Sequence, residues 1–274
     1  MPTRIRTAVI PAGGLGTRLL PLTRAVPKEL LPVWNRPVLD YAIEEAVTAG
    51  IERVVIVTAP GKEALQAHFA DGRALSDFTL DFVEQKEPLG LGDAVRVGAP
   101  TNEPIAVLLP DELLLGPNCL AQLFAVRERV GGSAIAVKRV PWAEVGRYGI
   151  VDVDGGAGNG RVHGVVEKPQ PEAAPSDLAV IGRYILDAAV MECLRTAQPT
   201  VKGEVQLTDS IAATCAGSGV TAVRYEGRRF DCGNFAGLLQ ANIAVSQLEQ
   251  NRSVPAPRPG RAPDAAVAEE ISAA

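Results

Sequence analysis

Apolar residues in this chain follow two rhythms. Short unbroken runs, RTAVIP (6–11), RVVIVT (53–58), IAVLLP (105–110) and SAIAVKRV (133–140), predict strands buried on both faces. Between them the apolar positions return every three or four residues. RPVLDYAIEEAVTAG (36–50) predicts a helix with Pro37 in its first turn, Leu39, Ile43 and Ala46 on one face, and Gly50 at its end. KEALQAHF (62–69), GDAVRVGA (92–99) and CLAQLFAVRERV (119–130) predict further helices, and TLDFVEQ (79–85) alternates as a strand does. Strand, helix, strand, helix in this order implies a mixed, mostly parallel α/β sheet with helices on both faces. Such sheets hold ligands beyond the C-terminal ends of their strands.

Past residue 147 the rhythm loosens. YGIVDVD (148–154) and GRVHGVVEKP (160–169) flank the Gly-rich DGGAGNG and predict a hairpin with Asp154–Gly160 at its tip. LAVIGRYIL (178–186) and VTAVRY (220–225) predict strands; 187–195, 204–216 and 234–248 predict helices. Residues 1–250 are therefore expected to form one domain, and the Pro- and Ala-rich 251–274 a flexible tail.

Composition narrows the function. At 274 residues and 47% hydrophobic the chain can bury a full core, about 75% of the surface of its unfolded form. No uninterrupted apolar run is long enough to cross a bilayer, and the N-terminus lacks a signal-peptide pattern. Four scattered cysteines without a C-x-x-C pair fit reduced thiols, so a cytoplasmic location is expected. With a net charge of −5 there is no basic footprint for nucleic acid.

The candidate chemistry begins where the first strand ends. AVIPAGGLGTRLLPLTRAVPKELLPV (8–33) places Gly13, Gly14 and Gly16 after Pro11, then Arg18, then Lys28. A Gly-rich loop can turn its N–H groups toward phosphate oxygens, and two cations add the charge a triphosphate requires. Leu19 breaks the dinucleotide fingerprint, and the P-loop spacing fails as well, so this is a phosphate loop of another kind. Asp111 directly follows the strand IAVLLP, where a carboxylate would hold Mg²⁺. His68 and His163 have no neighbouring ligand cluster, and Cys232 has no sign of a nucleophile.

GGLGTRLLPLTRAVPKELLPV resembles the signature of sugar-1-phosphate nucleotidylyltransferases. RYGIVD, VVEKP, PSDLAVIGRYIL, GEVQLTDSI and RFDCGNFAGLLQANI are similar, in order, to segments of the bacterial UTP–glucose-1-phosphate uridylyltransferases, also called UDP-glucose pyrophosphorylases, over residues 5–248. The resemblance implies a Rossmann-like nucleotide-diphospho-sugar transferase fold with a small β-hairpin region for the sugar. It implies joining of UTP and glucose 1-phosphate into UDP-glucose and pyrophosphate, with Mg²⁺, in a homo-oligomer.

By the same resemblance Ala12, Gly13 and Gly14 approach the nucleotide, Arg18 stabilises the departing pyrophosphate, and Lys28 holds the phosphates. Gln85 and Gly90 match the positions that read the pyrimidine edge, with a solvated strand end as the alternative for Gln85. Tyr148, Gly149 and Gly182 match the walls of the sugar site, Glu167 its hydroxyl acceptor and Lys168 its phosphate holder. Asp231 matches the second acidic metal position, or is a turn or cap residue. Adjacent strand residues point to opposite faces, so Glu167 and Lys168 need the following proline to bend the chain if both are to face one pocket.

The chain departs from the branch at several places. Only ADGRALSDFT separates Phe69 from Leu80, Leu89 stands in place of a basic residue, Asp93 in place of a histidine, and Glu112 is an extra acid. Because a glutamine amide suits uracil and thymine alike, a dTTP-using thymidylyltransferase is the alternative. A non-catalytic sugar-nucleotide sensor is a second one.

Overall fold

A computed structural model of the chain describes residues 4–70, 78–99, 103–154, 159–200 and 203–253. Its strands are β1 (Thr7–Pro11), β2 (Pro32–Val33), β3 (Arg36–Pro37), β4 (Arg53–Thr58), β5 (Thr79–Glu84), β6 (Ile105–Leu108), β7 (Glu112–Leu115), β8 (Ser133–Arg139), β9 (Gly149–Val153), β10 (Gly160–Glu167), β11 (Leu178–Leu186), β12 (Val220–Arg224) and β13 (Arg228–Asp231). The α-helices are α1 (Val38–Thr48), α2 (Glu63–His68), α3 (Gly90–Gly98), α4 (Cys119–Val130), α5 (Ala188–Thr196), α6 (Leu207–Thr214) and α7 (Phe235–Ser253).

Nine strands form one sheet in the order β5-β4-β1-β6-β11-β8-β12-β10-β9. Its first half is parallel, β1 lying between β4 and β6 with β5 outside β4. In the other half β11 runs antiparallel to both β6 and β8, while β8 and β12 are parallel. The expected hairpin is the antiparallel β9–β10 pair, joined to the sheet through β12 and, at Ala179–Ile150, through β11. Most of its tip lies outside the described residues.

Side chains of each strand alternate between two cores, which explains the unbroken apolar runs. Val9, Val55, Val57 and Val107 pack with Leu194 of α5 and Ile211 of α6. Ala8, Ile10, Val54 and Ile56 pack on the other face with Leu39 of α1 and Leu123 of α4.

Three details differ from the sequence reading. Pro37 precedes α1 and pairs with Pro32 in a two-stranded ribbon, so the first helical residue is Val38. A second ribbon, β7 with β13, had no periodic signal because each strand is four residues long. Helix α7 runs to Ser253, past the start assigned to the tail; residues 254–274 lie outside the described residues. Among the described residues no helix is long and apolar enough to cross a membrane.

Candidate active site

The glycine loop leaves β1 at Pro11 and is fixed through its carbonyls. Lys62, four residues past the end of β4, donates from Nζ to Ala12 O at 2.5 Å and Gly14 O at 2.8 Å. In a trans peptide the next N–H points opposite to the carbonyl. The N–H groups of Gly13 and Leu15 are thereby turned away from Lys62. Lys62 is balanced by Glu29 at 2.9 Å, whose side chain is fully buried. Ala12 donates its own N–H to Val57 O at 2.7 Å, so it anchors the loop, and among the described residues the Gly13 N–H is the first in the loop with no backbone acceptor. Gly16 has φ 65, and its carbonyl accepts from Thr23 Oγ1 at 2.9 Å.

The loop lies between two predicted partners. A Cβ on Gly13 would meet Gln85 Oε1 at 3.2 Å, and one on Gly14 would meet Lys28 Cε at 3.8 Å. Gln85 directly follows β5 and is 7% exposed. Its amide nitrogen donates to Gly90 O at 3.2 Å and to Asp93 Oδ2 at 2.7 Å.

Asp111 lies just past β6. Its Oδ2 is 2.5 Å from Lys28 Nζ. Burial pushes the Asp111 carboxyl up, but Lys28, by charge and hydrogen bond, and Arg18 outweigh it and hold the group below its ordinary value. For Lys28, burial pulls down while Asp111 and Glu29 raise, and the net direction is upward. The segment around Asp111 is clamped by Arg183, an unexpected cation in the apolar strand β11. Arg183 is 1% exposed, donates to Leu109 O at 2.9 Å and Glu112 O at 2.8 Å, and pairs with Glu45.

Asp231, at the end of β13, pairs with Arg18 at 3.4 Å and Arg147 at 3.0 Å. Asp111 and Asp231 face one small space. A Cβ on Gly233 would sit 2.8 Å from Asp111 Oδ2, 3.0 Å from Asp231 Oδ1 and 2.6 Å from Arg18 Nη2. Only glycine leaves this cradle open, and its two hard oxygen donors suit a divalent cation completed by phosphate oxygens or water. Glu112, the extra acid, turns both carboxylate oxygens to Arg229, at 2.7 and 2.5 Å. Burial pushes Glu112 up to about 7 against the pull of Arg229. Among the described residues no group of three acidic, His or Cys ligands forms.

Beyond the carboxylates opens a cleft of about 590 Å³ lined by Arg18, Gly90, Asp111, Tyr148, Gly149, Glu167, Lys168 and Asp231, together with Arg147, Gln206 and Thr208. Glu167 and Lys168 both reach it because Lys168 has left-handed backbone, φ 47, which turns the chain at the end of β10. Their side chains meet at 3.2 Å. The N–H of Lys168 donates to Tyr148 O at 2.9 Å. Gly149 is open for a reason: a Cβ there would press on Thr208 Cγ2 at 3.0 Å and Glu167 Oε2 at 3.3 Å.

Gly182 packs against the segment that carries Asp111. It sits in a bulge of β11 with φ 70, where a Cβ would meet Leu109 Cβ at 2.9 Å and Glu112 Cγ at 3.0 Å. It permits the close approach of the Asp111 segment, whose Leu109 and Glu112 line the cleft. Lys62, Arg147 and Arg229 were missed by the motif reading. Lys62 carried the same signal as Asp111, a charged residue soon after a buried parallel strand. Arg147 and Arg229 read as surface cations, and only tertiary contacts set them beside Asp231 and Glu112.

Comparison with known proteins gives the family and the fold. The nucleotidyl transferase family model matches residues 7–247. A UTP–glucose-1-phosphate uridylyltransferase of Bacillus subtilis is 37% identical over 273 residues, covering 90% of this chain and 92% of the relative. One of Komagataeibacter xylinus is 41% identical over 258 residues, covering 84% and 90%. A crystal structure of UDP-glucose pyrophosphorylase complexed with UDP-glucose superposes with a TM-score of 0.82 at 35% identity, covering 89% of this chain and 100% of that one. A UTP-bound enzyme of Acinetobacter baumannii does so at 0.76 and 33%, covering 90% and 99%. Family match, relatives and fold agree, and the chain belongs to the nucleotidyl transferase family, among its UTP–glucose-1-phosphate uridylyltransferases.

Proposed function

We propose that this chain joins UTP and glucose 1-phosphate to give UDP-glucose and pyrophosphate. The observation that carries the reading is the convergence of Lys28, Arg18, Asp111 and Asp231 between a glycine loop and a cleft ending at Lys168. The sugar phosphate oxygen attacks the α-phosphorus, a new P–O bond forms, and the bond to the β-phosphate breaks, releasing pyrophosphate.

Each residue has work in that step. Gly13 and Leu15 N–H groups donate to the phosphate oxygens. Lys28 leaves Asp111 for the α-phosphate, and Arg18 neutralises charge on the departing pyrophosphate. Glu167 accepts from sugar hydroxyls, and Lys168 places the attacking phosphate. Members of the family generally use a divalent metal; here Mg²⁺ is the proposed ion, held by Asp111 and Asp231 at the Gly233 cradle. When bound, it neutralises the triphosphate oxygens.

The test is pyrophosphate release with glucose 1-phosphate and Mg²⁺, comparing UTP, dTTP, CTP, ATP and GTP. Preferred use of UTP is the expected result. Preferred use of dTTP moves the protein to thymidylyl transfer, and no release with any nucleotide or sugar phosphate overturns the reading.

A further inference from the structure

The orientation of the Gln85 amide is decided by a residue that nothing above assigns to the reaction. Gln85 has one acceptor and two donor hydrogens. Both hydrogens are spent inside the protein, on Gly90 O at 3.2 Å and on Asp93 Oδ2 at 2.7 Å. The acceptor Oε1 faces the glycine loop, 3.2 Å from the Cβ position of Gly13, and among the described residues nothing is seen donating to it. Amide orientation is normally a choice between two similar fits. Here the chemistry removes the choice. A carboxylate accepts and does not donate, and Asp93 is itself paired with Arg96, which only donates. Turning the amide over would set Oε1 against both the Asp93 carboxylate and the Gly90 carbonyl.

We infer that Asp93 is a positioning residue for base selection. It locks Gln85 so that this side chain presents an acceptor alone to the base. This deepens the nucleotidyl transfer reading and rests on it. An acceptor matches the N3–H of uracil or thymine. It opposes cytosine, whose N3 carries a lone pair, so a buried mismatch of two acceptors faces CTP. Asp93 stands at the start of α3, 4% exposed, and forms no part of the cleft lining.

Asp93→Asn tests this with an isosteric change. Arg96 still requires an oxygen, so the new side chain turns its NH₂ toward Gln85; this removes the carboxylate bar to turning the amide over and leaves only the longer 3.2 Å contact with Gly90 O against it. Measure kcat/KM for UTP and CTP with the full-length wild type and the variant, with melting temperature as the fold check. The wild type is expected to prefer UTP by at least about a hundredfold. In Asp93→Asn that preference falls by about tenfold or more, with an absolute rise in kcat/KM for CTP, which a merely structural loss does not produce. Should the variant melt early, affinity of UDP-glucose and CDP-glucose by calorimetry at low temperature gives the same comparison. Unchanged preference in a folded variant, or a wild type that uses CTP as well as UTP, overturns the Asp93 inference while leaving nucleotidyl transfer standing. A wild type inactive with every nucleotide overturns the functional reading itself.

Discussion

Lys28 and Asp111, 83 residues apart in the chain, meet at 2.5 Å across the C-terminal ends of β1 and β6. Each is drawn to its charged form by the other. The pair holds both groups charged, Lys28 beside the place for the phosphates and Asp111 beside the place for the cation, until those ligands exchange with it. Asp111→Asn is expected to lower kcat by about 10²–10³-fold with UDP-glucose affinity little changed. Wild-type turnover in this variant would remove Asp111 from the metal site.

The same pair sets a pH window. The Asp111 carboxyl lies below its ordinary 3.8, so its stabilisation is present above that value and is lost as pH falls through the lower folded value. Lys28 lies above 10.5, so its share is present below 10.5 and is lost as pH rises through the folded value. Asp111 is also one of the charges that raise Glu112 to about 7, so the advantage of wild type over Asp111→Asn is expected to shrink as pH rises from about 5 through about 7, where the wild-type Glu112 carries the larger penalty. Urea denaturation from about pH 5 to about pH 8 checks it; an advantage that grows with pH over that range contradicts the assignment.

Lys62 is expected to matter for stability as well as catalysis. Lys62→Met leaves Glu29 buried without its counter-charge, a loss of about 3–5 kcal/mol for a broken buried pair. Adding Glu29→Leu should restore much of the stability while activity stays low, because the loop carbonyls of Ala12 and Gly14 remain unheld. Equal activity in the double variant and the wild type would show that the loop holds its shape without Lys62.

Gly233→Ala places a methyl group among Arg18, Asp111 and Asp231. The expected outcome is a folded protein whose need for Mg²⁺ rises at least about tenfold, since the added atom occupies the cradle. An unaltered Mg²⁺ titration would locate the cation elsewhere.

Lys168→Ala is expected to raise KM for glucose 1-phosphate more than KM for UTP. A lost charge-assisted contact costs about 1.5–3 kcal/mol, about tenfold or more in apparent affinity. The reverse pattern would put Lys168 on the nucleotide side of the cleft.

Much of the scaffold was legible before any coordinates. The runs ending at Pro11, Thr58 and Pro110 became β1, β4 and β6, the last stopping at Leu108, because strands covered on both faces need unbroken apolar sequence. What the runs did not carry was direction. LAVIGRYIL fits a parallel or an antiparallel central strand equally, and its antiparallel placement depends on pairing with β6 and β8. The β7–β13 ribbon was illegible because its strands are too short for a period and are held by residues more than a hundred positions apart, as in Arg229–Glu112.

The site divides in the same way. Residue order alone carried the local chemistry: glycines after a buried strand, cations at Arg18 and Lys28, a carboxylate at Asp111, and the adjacent Glu167 and Lys168. Those features follow from backbone freedom and residue type, which are properties of short segments. Only the tertiary structure decided the partners. It set Lys62 under the glycine loop, put Arg183 beneath Asp111, packed Gly182 against Leu109, and tied the Gln85 amide to Asp93. Each of these depends on a distance of a few ångströms between side chains brought together by packing, and hydrogen bonds and ion pairs take their direction from that geometry rather than from sequence order.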